Sequence, residues 1–74
     1  QNLSDEILIT GLTAGVANEI SVFDYAGKIV LQATTSDSYY RASLNKLSNG
    51  VYLINIRFLS ESVTEKFVKG YTNR

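Results

Sequence analysis

Apolar and polar side chains are most strongly ordered along residues 51–59. There Tyr52, Ile54, Ile56 and Phe58 fall at alternate positions, with Val51, Leu53, Asn55 and Arg57 between them. Successive side chains of a strand point to opposite sides of a sheet, so four large apolar groups on one face predict a core strand. The preceding Lys46-Leu47-Ser48-Asn49-Gly50 ends in Asn-Gly, two residues that tolerate left-handed backbone angles, and predicts a turn. After the core strand, Ser60-Glu61-Ser62 predicts a turn into a last strand over residues 63–70. Thr64, Lys66 and Val68 share one face of it and Val63, Glu65, Phe67 and Lys69 the other. Phe67 and Val68 thus point opposite ways, one available to the core and one to a partner.

Upstream, Glu6 to Leu12 (EILITGL) reads as a first strand ending near Gly11. Ile20 and Val22 alternate ahead of Ala26-Gly27, and Lys28 to Leu31 resumes the apolar pattern. This predicts a β-hairpin with its turn around Tyr25 to Gly27, where glycine can take positive φ. Ser36-Asp37-Ser38 is a turn cluster, and Tyr39 to Leu44 forms a short strand that must turn one of Tyr39 and Tyr40 inward. No segment carries a helical period. The fold class expected is all-β, a small immunoglobulin-like antiparallel β-sandwich of about six to seven short strands.

Length and composition narrow the picture. At 74 residues the chain is read as a single domain spanning 1–74, of a size that buries only about 60% of its unfolded surface. A hydrophobic fraction of 45% suits a folded unit, and the absence of proline excludes a stiff linker. Seven acids balance seven bases, which leaves no overall field to hold nucleic acid or an anionic membrane. The charge is uneven along the chain. Residues 1–37 hold five acids against Lys28, a net of −4, and residues 38–74 hold six bases against Glu61 and Glu65, a net of +4. Either the two halves attract within the fold, or the second half carries a basic docking face. Lys66 and Lys69 have a parallel bland reading as charges that guard an edge strand and keep the domain monomeric. No apolar run reaches 18 residues and no amino-terminal export signal is visible, so no membrane-spanning segment is expected. Asn2-Leu3-Ser4 matches the N-glycosylation sequon.

Candidate chemistry is sparse. The chain has no histidine and no cysteine, its carboxylates are scattered, its serines have no visible base, and no glycine-rich phosphate loop follows a strand. The expectation is a protein that is not an enzyme, with no catalytic residue, no cofactor and no metal. Tyr39, Tyr40 and Tyr52 suggest an aromatic platform for sugar or peptide, but Tyr52 sits in the core pattern and reads first as filling. Gly27 and Gly50 each follow a run that must reverse direction.

Taken in order, FDYAGKIV, a short linking strand, LSNGVYLINI and TEKFVKG resemble the C-terminal sorting domain of the type IX secretion system, type A, over residues 18–70. Asp24, Gly27 and Lys28 match the family's first-hairpin motif. Gly50, Val51 and Tyr52 match its Gly-x-Tyr motif, and Glu65, Lys66, Phe67, Val68 and Lys69 match its lysine-bearing last strand. The resemblance implies a β-sandwich that follows an N-terminal cargo domain in a larger precursor. Such a domain directs cargo from the periplasm across the outer membrane of certain Gram-negative bacteria, to the cell surface or the medium. Its partners would be the type IX translocation machinery and a cell-surface signal peptidase. Glu65 to Lys69 would then be recognised by the receptor, with Lys66 and Lys69 giving electrostatic selectivity and Phe67 or Val68 apolar contact. Asp24, Gly27, Lys28, Gly50, Val51 and Tyr52 would mainly maintain the fold. The chain departs from the pattern in lacking Pro-Asn-Pro at the start, in spacing its lysines by two residues, and in extending past the usual end as a flexible tail over residues 71–74. The competing reading is an immunoglobulin-like adhesion or spacer module of a surface protein.

Overall fold

A computed structural model describes residues 6–70. The sequon at Asn2 and the tail over residues 71–74 lie outside the described residues. Six strands follow one another without a helix: β1 (Glu6–Ile9), β2 (Asn18–Asp24), β3 (Ile29–Thr35), β4 (Tyr40–Ser43), β5 (Gly50–Phe58) and β6 (Glu61–Lys69). They form two antiparallel sheets, one of four strands in the order β3-β2-β5-β6 and one of two strands, β1-β4. The all-β sandwich expected from the alternating pattern is the fold observed, with six strands among the described residues. Since no helix is present there, none is long and apolar enough to cross a membrane.

The core lies between the sheets. Ile20 and Val22 of β2 are fully buried, and Ile9, Leu12, Ala42, Leu44 and Tyr52 nearly so. Ile7, Tyr40, Ile54 and Ile56 pack against the cluster of Ile9, Leu12 and Ile20, so residues of β1, β2, β4 and β5 meet in one interior. Burying an isoleucine or valine completely contributes roughly 1.5–3 kcal/mol each. Ile20 is the member of this pair that packs against Ile9 of β1 and so ties the four-stranded sheet to its cover. Of the tyrosine pair, Tyr40 turns inward and Tyr39 stays half exposed, as the strand alternation requires.

One buried group is polar. Asn18 is wholly inaccessible, and its Nδ2 donates to the carbonyls of Thr13 (2.8 Å), Val16 (3.1 Å) and Thr35 (3.1 Å). Its Oδ1 accepts from the Thr13 N–H at 3.4 Å. The side chain thus replaces sheet pairing for the loop between β1 and β2 and ties that loop to the end of β3.

Two boundaries differ by two residues from the sequence reading. The first strand stops at Ile9 rather than near Gly11, because Gly11 takes φ +77° and bends the chain out of the sheet. Leu12 then enters the core while its N–H donates to the Ser38 carbonyl at 3.0 Å. The last strand starts at Glu61 instead of Val63. The turn is Leu59-Ser60 alone, and Phe58 pairs with Glu61 across it. A two-residue hairpin loop needs positive φ, which Leu59 supplies at +54°.

A bulge separates the two halves of the first hairpin. Val22 faces Leu31 but Phe23 faces Ile29, which leaves Val30 as the extra residue on β3. Ile29 is thereby placed beside Phe23 on the outer face instead of sharing the inner face with Leu31.

Candidate functional site

The last hairpin places the predicted recognition residues. β6 pairs with β5 on one side only and is an edge of the four-stranded sheet. Tyr52 faces Phe67, Ile54 faces Glu65 and Ile56 faces Val63 on the inner side of the sheet. Leu53 faces Lys66 and Val51 faces Val68 on the outer side. Glu65 to Lys69 are therefore adjacent in sequence but divided between two surfaces. Lys66 and Val68 look outward, while Glu65, Phe67 and Lys69 look toward the sandwich interior.

The inward group is structurally engaged. Phe67 stacks on Tyr52 with ring centroids 5.4 Å apart and planes 21° from parallel, a contact worth about 0.5–1.5 kcal/mol beyond area burial. The Tyr52 hydroxyl donates to the Ser48 carbonyl at 2.6 Å, and Lys69 Nζ donates to the Leu47 carbonyl at 2.6 Å. Both bonds end on the loop before β5, so β6 is fastened at its far end to the turn that opens its neighbour. Gly50 opens β5 opposite Lys69 at φ +157°, a backbone setting reserved almost entirely for glycine.

The outward group stands among exposed apolar side chains. Val68 is 68% exposed and Leu53 41% exposed, and half-buried Val51 of β5 lies opposite Val68. A row crosses the whole sheet here, from Ile29 through Phe23 and Leu53 to Lys66. The outcome is an apolar strip on an outer sheet face, closed at the edge strand by a lysine.

Asp24, Gly27 and Lys28 close the other end of this sheet. Asp24 Oδ1 accepts from the Ala26 N–H at 3.0 Å and the Lys28 N–H at 2.9 Å. The main chains of Asp24 and Lys28 meet at 2.9 Å, and Gly27 supplies φ +89° for the reversal. Position 28 contributes its main chain to this turn, and its side chain is exposed. Asp24 also lies directly opposite Tyr52 across β2 and β5, so the two motif turns share one end of the domain.

Sequence reasoning missed two features. Ile29 joins the outer strip beside Phe23 only because of the bulge, although Val51 and Leu53 on the second face of β5 already signalled an apolar outer surface. The second feature is a groove of about 460 Å³ on the inner side of β5 and β6, beside β1. As for charge, Arg41 meets Glu6 at 3.6 Å and Arg57 meets Glu19 at 4.0 Å. Each pair joins a base of the second half to an acid of the first. They are exposed pairs and contribute little, about 0–1 kcal/mol. Among the described residues no group of three or more acids, histidines or cysteines is placed to hold a metal.

The geometry is that of a small sandwich with a patterned edge strand, two tightly closed motif turns and an apolar strip on the outer face beside that edge. The chain belongs to the family of secretion system C-terminal sorting domains, whose model matches residues 3–70. That family serves type IX secretion and is not a family of enzymes. No curated protein and no solved structure gives a match.

Proposed function

We propose that this domain is the address by which the type IX machinery selects a cargo protein joined to its amino-terminal side. Selection takes place in the periplasm, the cargo crosses the outer membrane, and a cell-surface peptidase then removes the domain. Membership of the sorting-domain family carries the functional reading, and the outer strip at β6 supports the choice of surface. Lys66 supplies the charge that orients the receptor, and Val68 with Leu53 supplies apolar contact. Phe67 and Lys69 act from behind by holding β6 against Tyr52 and the Leu47 carbonyl, and Glu65 lies on the groove side.

The test fuses residues 1–74 to the carboxyl end of a periplasmic reporter in a type IX host. The comparison is with the double variant Lys66→Glu/Val68→Ser, which changes only outward side chains. The intact fusion is expected at the cell surface or in the medium, and the folded variant in the periplasm. Equal export of both would remove the outer face of β6 from recognition. Retention of both would favour the adhesion or spacer reading.

A further inference from the structure

The groove beside β1 has a floor and a wall of different kinds. Its floor is lined by Ile54, Ile56, Phe58, Val63, Glu65 and Phe67, every second residue of β5 and β6. That spacing presents a sheet face. Its wall is lined by six consecutive residues, 7–12. In a strand Leu8 points away from Ile7 and Ile9, so all three can border one groove only if the main-chain edge of β1 faces it. Among the described residues β1 pairs with β4 alone, on its other side. The two-stranded sheet therefore stops short of the four-stranded sheet it covers, and Val63 at the rim of the uncovered area is 47% exposed.

An apolar floor that takes alternate side chains, beside a strand edge that offers N–H and C=O groups, is complementary to one more strand. The floor carries one charge, Glu65, within an otherwise apolar lining. We propose that this groove accepts an extended strand of a partner protein, whose main chain pairs with β1. Alternate apolar side chains of that strand lie on Ile54, Ile56, Val63 and Phe67, and a lysine or arginine at an inward position faces Glu65. Glu65 is exposed at the groove, and its charge selects the occupant because a basic residue there attracts the carboxylate and an acidic one opposes it. This site is separate from the outer face assigned to sorting.

The probe is a synthetic peptide, TVTITKTVT, whose inward positions are Val, Ile, Lys and Val, titrated into the 74-residue chain and followed by amide NMR and hydrogen exchange. The expected result is saturable shifts, and slowed exchange of those amides among residues 7–10 that point away from β4, with TVTITETVT binding about tenfold more weakly. Glu65→Lys should reverse that ranking, and Glu65→Gln, which keeps the side-chain shape, should abolish it. Absence of shifts at millimolar peptide would overturn the proposal, and so would shifts confined to the free edge of β6. Protection of the same amides that rises with protein concentration in the absence of peptide would overturn it in favour of a second copy as occupant. No secretion component is present, so failure here leaves the sorting reading untouched.

Discussion

Tyr52→Phe separates what the hydroxyl of the Gly-x-Tyr motif does from what its ring does. The ring remains nearly buried and stacked on Phe67, and only the 2.6 Å bond from the hydroxyl to the Ser48 carbonyl is lost. Ser48 is exposed, so water can take the donor's place, and the loss is the net worth of one hydrogen bond, about 1 kcal/mol, not the larger cost of an orphaned buried acceptor. For a domain of 60–100 residues that lowers Tm by about 4–8 °C. Tyr52→Ala removes the stacked ring as well and costs about 3–5 kcal/mol, comparable with the total stability of about 4–11 kcal/mol expected for a chain of this size. Thermal unfolding followed by circular dichroism measures both, and export of the reporter fusion is scored beside it. The expected pattern is modest destabilisation and normal export for Tyr52→Phe, with unfolding and loss of export for Tyr52→Ala. An unchanged Tm for Tyr52→Phe would refute the hydrogen-bond argument. Loss of its export at a retained fold would make Tyr52 a receptor contact rather than a brace.

Asn18→Ala leaves the carbonyls of Thr13, Val16 and Thr35 without their side-chain donor in a closed site. The expected cost is about 3 kcal/mol, read as a lower urea midpoint. A midpoint unchanged within error would show that water satisfies these groups. Leu59→Asn places a residue that tolerates left-handed angles at φ +54°. It should raise stability by about 1 kcal/mol, and an unchanged Tm would mean that the turn carries no strain.

Alternation with a period of two was legible wherever one face of a strand is buried and the other is not. β5 shows this most clearly, since Tyr52, Ile54, Ile56 and Phe58 all face inward as their spacing indicates. The same rule cannot see a bulge. Ile29 and Leu31 share a parity, and only the extra residue at Val30 sends them to different faces. Nor can it find Asn18, whose role depends on three carbonyls up to 17 residues away that have no partner until the loop folds over it.

The candidate site was legible to the same depth. Sequence grouped Lys66 with Lys69 because the two are close together and share a charge. Their separation of three residues in a strand, an odd number, places them on opposite faces. What alternation could not supply is which face remains free, because that depends on where the second sheet lies. The covering sheet is made by β1 and β4, strands joined by pairing between Glu6 and Ser43 and between Ile9 and Tyr40 at long sequence separation. Its two-strand width decides that β6 is left with an open inner flank as well as an open outer face. The last strand therefore presents two distinct surfaces, Lys66 with Val68 and Glu65 with Phe67. A substitution at Lys66 and one at Glu65 should fail in different assays despite their adjacency.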